Sequence, residues 1–329
     1  DGLPDGAYEI AGGLTDQFSQ GKPGSISVVC TGPGARHTLF GCLNFSWYDA
    51  KRKRARYKQA GRGGIGTVFA DKGIVAVVAR WDRVPLDVNQ PADLEAAKAV
   101  GKRYSKEIVA LDPKQNEMAR VGTTHLVPIM NDYDCLPVHN FRYGRHPQAN
   151  LIGRDVYQYL FDPGFDGCWK GCTVACSHGV KDFVPLTGPF KGQQVFVDGP
   201  EYETIAGCGS NLGIFDPFTI LEINFYCDNY GLDTISVGTT IAFVMECYEM
   251  GLIDQTQTGG LVLSFGHRAD TLELIHQMGR GDGFGKIAGK GIRRIKQVFA
   301  KEYGADLRVL EDIGMESKGL EFSEYMTKE

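Results

Sequence analysis

The sequence predicts an α+β fold, in which a β-rich unit of residues 1–84 precedes a mostly α-helical unit of residues 85–329. Short apolar runs rich in β-branched residues alternate with glycines in the first unit, as is typical of strands. From Pro85 onward, apolar residues recur with helical spacing instead. The composition, with 43% hydrophobic and 23% charged residues, is that of a globular protein.

The strands predicted in the first unit are residues 25–30 and 73–79. The helices predicted after it lie near residues 91–110, 153–161, 215–230, 235–250, 269–279 and 285–303. Pro91 followed by Asp93 and Glu95 marks the first helix start, and Gly304 marks the last helix end. The long loops 112–150 and 164–213 connect these helices, and loops of such length are often functional.

Charge and cysteine content exclude several classes of protein. A net charge of −5 argues against a nucleic-acid partner. The chain has no apolar run of transmembrane length and no signal peptide at its start, so we expect a cytoplasmic protein without a transmembrane segment. Nine cysteines, an odd number, favour reduced thiols. The chain starts without Met and ends just after a strand-like run, so we expect a central fragment of a longer protein.

The segment Gly61–Gly66 matches the pattern G-x-G-x-x-G of dinucleotide sites. A basic run, residues 51–58, precedes it and a strand-like run follows, so the sequence does not favour a Rossmann site. The segment is either a tight turn or a phosphate site made of backbone amides and Arg62. The basic run is interpreted as a solvated face, with an anionic ligand as the alternative.

Three closely spaced cysteines, Cys168, Cys172 and Cys176, lie in a glycine-containing segment. Such thiols predict a 4Fe–4S cluster, for which a fourth ligand must come from elsewhere. Tetrahedral zinc, with His178 as the fourth ligand, is the first alternative, and three unrelated buried or surface thiols are the second.

Two further segments carry carboxylates beside glycines. Glu203 and the thiol of Cys208 lie in a glycine-rich stretch, where they could transfer protons or simply cap a helix. Downstream, Asp228 and Asp233 flank Gly231 and Leu232. This pattern is either a helix end followed by an N-cap or a pair of acceptors for the N–H groups of a pterin.

In this order, the motifs resemble those of the aldehyde:ferredoxin oxidoreductase family of tungsten enzymes. The resemblance rests on residues 60–68, the three cysteines, residues 199–203, residues 211–214 and residues 228–236. It implies a tungsten or molybdenum bis-pyranopterin cofactor, a magnesium ion that bridges the pterins, and a 4Fe–4S cluster. The pterin would then be bound by seven residues of these motifs: Arg62, Gly63, Gly64, Asp228, Gly231, Leu232 and Asp233. Glu203 matches the active-site glutamate of the family. The family pattern is C-x-x-C-x-x-x-C, whereas this chain has one more residue between the first two cysteines, Cys168 and Cys172.

Within this family, His139, His146 and Cys208 make the chain similar to the tungsten subunit of class II benzoyl-CoA reductases. That resemblance implies the reduction of an aromatic acyl-CoA in a strict anaerobe, with His146 as proton donor and His139, Glu203 and Cys208 in support. An iron–sulfur subunit or ferredoxin would supply electrons, and an oligomer would be compatible with this. Aldehyde oxidation is the enzymatic alternative, and a non-catalytic iron–sulfur or zinc scaffold is the alternative from another class.

Overall fold

The structure is a computed structural model that describes residues 5–50, 52–81, 91–164, 166–168 and 172–325. Its helices are α1 (Ala7–Ser19), α2 (Ile65–Asp71), α3 (Leu94–Leu111), α4 (Met118–Val121), α5 (Leu126–Asp132), α6 (Arg154–Leu160), α7 (Tyr202–Cys208), α8 (Pro217–Tyr230), α9 (Thr234–Glu249), α10 (Arg268–Arg280), α11 (Gly285–Ala288), α12 (Ile292–Glu302) and α13 (Leu307–Ile313). Its strands are β1 (Ile26–Cys30), β2 (Leu43–Asp49), β3 (Arg54–Ala60), β4 (Ala76–Arg80), β5 (Gly179–Phe183), β6 (Val195–Asp198), β7 (Glu316–Ser317) and β8 (Leu320–Glu321). The predicted α+β class is confirmed.

The N-terminal part is a four-stranded antiparallel sheet covered by a helix. The strand order is β3-β2-β1-β4, and Val29 on β1 pairs with Phe45 on β2. α1, which the sequence analysis did not predict, packs its apolar face on β1 and forms a small core with it. Gly12 and Gly13 lie inside α1 and lower its helix propensity, so burial against the sheet must stabilise this helix.

The glycine-rich segment joins β3 to α2. The prediction of a strand-like run after Gly66 was wrong, because Ile65–Asp71 is helical. Gly63 and Gly64 have φ values of +84° and +68°, a left-handed conformation that glycine adopts without steric cost. The segment therefore follows a strand and opens a helix, yet the sheet is antiparallel, so it does not form a Rossmann unit.

The main core lies in the helical part, around α8 and α9. Every residue of α8 from Thr219 to Tyr230 is buried, which is typical of a helix surrounded by protein. Asp216 caps the start of α8, Gly231 ends it with φ +73°, and Asp233 caps α9. The capping interpretation of the Asp233 region is thus confirmed in structure.

The remaining predicted helices are found with small differences. The helix predicted over residues 285–303 is divided into α11 and α12, because Gly291 adopts φ +74° between them. The predicted loop 112–150 contains α4 and α5, and the predicted loop 164–213 contains β5, β6 and α7. The predicted boundary after residue 84 lies outside the described residues. No described helix is both long enough and apolar enough to cross a bilayer.

Candidate functional site

A cavity of about 310 Å³ lies where β3, α7 and the α8–α9 junction meet. Five predicted site residues line it: Arg62, Glu203, Asp228, Leu232 and Asp233. Two of them, Arg62 and Asp233, form an ion pair although they are 171 positions apart in the sequence. Its other polar lining residues are Lys58, Gln59, Asp198, Glu201, Thr204, Asn224 and Thr234. The structure thus brings five of the predicted site residues together. Gly63 and Gly64 line a neighbouring cavity with Lys290, Arg293 and Lys318.

Arg62 connects three parts of the chain at the edge of the cavity. Its Nε lies 3.2 Å from Oδ2 of Asp233, its Nη1 donates to the Ser323 hydroxyl, and its Nη2 donates to the Glu321 carbonyl. The left-handed glycines that follow it turn the backbone so that the guanidinium faces these partners. Because Asp233 also caps α9, the position of Arg62 is fixed relative to that helix.

Asp228 lies at the end of α8 and is fully buried. Its Oδ2 accepts hydrogen bonds from the Tyr8 hydroxyl at 3.0 Å and the Asn224 amide at 2.8 Å. Burial raises the pKa of Asp228 to about 8. Burial likewise raises the pKa of Asp233, although Ser236 and Arg62 oppose the shift. The Asp228 side chain is therefore mostly protonated at neutral pH and can act as a hydrogen-bond donor as well as an acceptor.

Replacing Asp228 by asparagine is expected to flatten the dependence of stability on pH. The folded pKa of about 8 exceeds the ordinary value of 3.8, so the folded state retains a proton that the unfolded chain releases. Wild-type stability then falls as pH rises through this window, and asparagine removes that loss. Denaturant unfolding of the full-length protein at about pH 5 and about pH 8 measures the change in unfolding free energy between the two pH values.

The control is Asp155→Asn, because the Asp155 side chain is 85% exposed. An unchanged pH slope in Asp228→Asn would contradict the assignment.

Glu203 lies on the first turn of α7 and faces the same cavity. Its Oε2 accepts a hydrogen bond of 2.8 Å from the backbone N–H of Glu324. Burial raises the pKa of Glu203, which brings its titration closer to neutral pH. The neighbouring Glu201 lines the same cavity, and its Oε2 accepts a hydrogen bond from the Thr123 hydroxyl at 2.6 Å.

Sequence reasoning missed Lys58 and Asp198, which line this cavity, and Glu324, whose backbone N–H contacts Glu203. Lys58 was interpreted as part of a solvated face or an anion site, but its Nζ lies 2.7 Å from Oδ1 of Asp198. Asp198 ends strand β6 directly after the apolar run of residues 195–197, a signal that could have identified it. Glu324 is fully buried, and its Oε1 accepts a hydrogen bond from the Thr239 hydroxyl. No local pattern marks Glu324, because its partners are distant in sequence.

Cys208, His139 and His146 are not among the residues that line the cavity. Cys208 lies directly behind the wall, where its Sγ is 3.6 Å from the carbonyl oxygen of Thr234. Burial raises the pKa of the Cys208 thiol, so it is protonated. The carbonyl of Thr234 thus separates this thiol from the cavity.

His139 and His146 lie in the loop before α6. Each imidazole ring stacks on an aromatic ring from a later part of the chain. The His139 ring lies 4.5 Å from the Phe265 ring and the His146 ring 4.1 Å from the Phe215 ring. Burial lowers the pKa of both imidazoles, which favours their neutral forms. Nδ1 of His146 accepts a hydrogen bond from the backbone N–H of Gln148, which places the ring proton on Nε2.

The cysteine segment is joined to the sheet by buried ion pairs. Arg52 and Arg56 both contact Asp166, at 2.8 Å and 3.3 Å, and Asp166 forms a β-bridge with Cys176. Both arginines belong to the basic run that was expected to be a solvated face, and that prediction was wrong for them. Their aspartate partners are Asp49 on β2, Asp198 on β6, and Asp162 and Asp166 before the first cysteine.

Among the described residues, no group of three or more His, Cys, Asp and Glu side chains is arranged to hold a metal ion. Cys168 is exposed, while Cys172 and Cys176 are partly buried, and residues 169–171 between them lie outside the described residues. Nε2 of His178 lies 3.2 Å from the Met118 carbonyl and its ring stacks on Phe161. His178 therefore does not support the zinc alternative.

The main cavity does fit a pterin. Oδ2 of Asp198 is buried with no hydrogen-bond partner among the described residues, so a ligand N–H group would satisfy it. Asp228 and Asp233 offer further carboxyl groups, and Lys58 and Arg62 offer cations for an anionic substituent. A cofactor whose own sulfur atoms hold its metal needs no protein ligand there.

Comparison with protein families decides the family. The model described as "Aldehyde ferredoxin oxidoreductase, domains 2 & 3" matches residues 99–329. The chain belongs to the aldehyde ferredoxin oxidoreductase family. Within this family, the tungsten-containing aldehyde ferredoxin oxidoreductase of Pyrococcus horikoshii is 31% identical over 246 residues, which cover 74% of this chain and 38% of that protein. The corresponding enzyme of Pyrococcus furiosus is 30% identical over 271 residues, or 82% of this chain and 41% of that protein.

Two further comparisons extend the picture. The aliphatic sulfonate oxidoreductase, WOR-like subunit, of Pyrococcus furiosus is 28% identical over 75% of this chain and 38% of that protein. A solved structure, the active site complex BamBC of benzoyl coenzyme A reductase with 1,5 dienoyl-CoA, shares the fold with a TM-score of 0.68 at 18% identity. That match covers 97% of this chain and 45% of the other. The chain thus spans less than half the length of the relatives it matches.

Proposed function

We propose that this chain is part of the catalytic subunit of a tungsten-bis-pyranopterin oxidoreductase. The observation that carries the proposal is the cavity in which Arg62, Asp228, Asp233 and the orphaned Asp198 oxygen face one another beside Glu203. Family membership supports it, because several relatives are named tungsten-containing enzymes. The cofactor, when bound, supplies two-electron redox chemistry at its metal. Molybdenum in place of tungsten and a magnesium ion between the pterins belong to the same proposal.

The protein's own residues would bind the pterin and manage protons. Asp228 and Asp233 hold the N–H edge of the ring system, and Arg62 neutralises negative charge beside it. Glu203, whose pKa burial raises, would take up or release a proton beside the cofactor. In the proposed division, the unit of residues 1–84 supplies Arg62, and the unit of residues 85–329 supplies the three carboxyl groups.

We include a 4Fe–4S cluster held by Cys168, Cys172 and Cys176 in this proposal. The support is the spacing of the cysteines and the ion pairs that fix Asp166 beside Cys176. The fourth ligand would come from outside this set. A ferredoxin or iron–sulfur subunit would exchange electrons with the cluster.

For the substrate we propose an aromatic acyl-CoA whose ring is reduced by two electrons, with His146 as proton donor and His139 and Cys208 in support. The protonated Nε2 of His146 and the aromatic rings stacked on both histidines suit this chemistry. Aldehyde oxidation is the second candidate, and the position of Cys208 behind the cavity wall favours it, because that reaction has no use for the thiol.

The deciding experiment is metal analysis and assay of the anaerobically purified full-length protein. We expect tungsten and about four irons per chain, with the iron lost in Cys176→Ser and retained in the control Cys135→Ser. Zinc without tungsten would refute the proposal. Turnover of benzoyl-CoA that is lost in His146→Ala, with both metals retained, would support ring reduction. Turnover of aldehydes alone would establish the second candidate.

A further inference from the structure

A third cavity, of about 580 Å³, adjoins the cavity that Gly63 and Gly64 line, and the two share Leu39, Lys290 and Arg294. The turn Pro33–Arg36, helix α2 and helix α12 form its walls. Its volume is within the range of about 300–1,000 Å³ that is usual for small-molecule sites. Neither the proposed cofactor nor the proposed reaction uses this cavity.

The charge of this cavity is strongly positive. Arg36, Lys286, Lys290 and Arg294 line it, and Asp71 is the one carboxylate among its lining residues. None of the four cations forms an ion pair with a carboxylate in the part of the chain that the structure describes, in contrast to Arg52, which contacts three aspartates. Four unpaired cations converge here in a chain whose net charge is −5, so the cluster does not follow from composition.

A buried hydroxyl at the same place also lacks a partner. Thr38 lines the cavity and is 2% exposed, yet its Oγ1 has no hydrogen-bond partner among the described residues. Buried polar atoms are almost always paired, so an oxygen-rich ligand at this position would complete the site. Two hydrogen bonds hold the backbone around it, since the Thr67 hydroxyl donates to the Thr38 carbonyl and the Leu39 N–H donates to the Gly289 carbonyl.

We propose that this cavity binds a phosphate-bearing small molecule of nucleotide size. Phosphate oxygens match both the cations and the hydroxyl donor. The apolar side chains of Leu39 and Val298 on the same lining suit a flat organic group attached to the phosphates. The concave shape favours a small ligand over a nucleic acid or a membrane surface. The proposal does not depend on the identity of the metal or of the reduced or oxidised substrate.

The test is calorimetric titration of the full-length protein with ADP, pyrophosphate and adenosine at low and high salt. ADP and pyrophosphate should bind, more weakly at high salt, and adenosine should not. Lys290→Ala and Arg294→Ala should each weaken ADP binding by about 10-fold or more. Lys301→Ala, an exposed lysine near the end of α12 outside the lining, should leave it unchanged. Circular dichroism shows that each variant is folded.

Absence of ADP and pyrophosphate binding, equal binding of adenosine, or binding that neither cavity variant weakens would overturn the proposal. Competition with coenzyme A identifies the source of the phosphates. Displacement of ADP by coenzyme A would support the phosphoadenosine end of an acyl-CoA as the occupant. Binding of ADP without displacement by coenzyme A would support a free nucleotide. Metal content and turnover are measured separately, so failure here is distinct from failure of the proposed function.

Discussion

Replacing Glu203 by glutamine in the full-length protein is expected to lower turnover by about 100- to 10,000-fold, the usual contribution of a positioned proton donor or acceptor. Glutamine keeps the size of the side chain and an oxygen that can accept the hydrogen bond from the Glu324 N–H. It has no transferable carboxyl proton. Tungsten content should therefore stay unchanged while kcat falls.

The matched control for this prediction is Glu95→Gln. Glu95 is exposed on α3, where it pairs with Lys98, and it does not line the cavity. Its substitution should leave turnover within about two-fold of wild type, since exposed ion pairs contribute about 0–1 kcal/mol. Turnover of Glu203→Gln close to that of this control would remove Glu203 from the proton pathway. Loss of tungsten would instead give Glu203 a role in cofactor binding.

Replacing Arg56 by methionine is expected to destabilise the protein by about 3–5 kcal/mol, the usual cost of removing one partner from a buried ion pair. Arg56 is 1% exposed, lies 2.9 Å from Asp198 and 3.3 Å from Asp166, and packs against the Phe196 ring. Methionine fills much of the space but leaves both aspartates with less positive charge beside them. The midpoint of denaturant unfolding of the full-length protein measures the loss.

Arg54→Met is the control for the charge change, because Arg54 lies on the same strand, is exposed and also contacts the Phe196 ring. It should cost less than about 1 kcal/mol. Equal shifts in the two variants would show that the ring contact, and not the buried ion pairs, stabilises this region. Iron content should fall in Arg56→Met alone if the ion pairs also position the cysteine segment.

Local sequence signals predicted the helices whose ends are marked by capping residues. The end of α8 and the start of α9 were predicted close to their observed bounds because Gly231 and Asp233 mark them in the sequence. α1 and α2 were missed for the opposite reason. Glycines in α1 and β-branched residues in α2 reduce the helical signal. Contacts with the sheet stabilise α1, and contacts with the turn Pro33–Arg36 stabilise α2.

The candidate site was predictable only in part. Arg62, Asp228 and Asp233 were grouped by an ordered resemblance, and the structure places them around one cavity. The inward orientation of Lys58 and the position of Glu324 depend on contacts over more than a hundred residues, which no local pattern contains. The placement of Cys208 behind the Thr234 carbonyl likewise depends on how α7 packs on α9.

The contacts of Arg62 have a consequence for biosynthesis. The guanidinium that borders the cavity bonds to the Glu321 carbonyl, which follows it by 259 residues. At translation rates of about 5–20 residues per second, this stretch takes on the order of 13–52 s to emerge from the ribosome. The guanidinium therefore lacks one of its partners throughout that interval, so insertion of a cofactor beside a fully held Arg62 would follow translation.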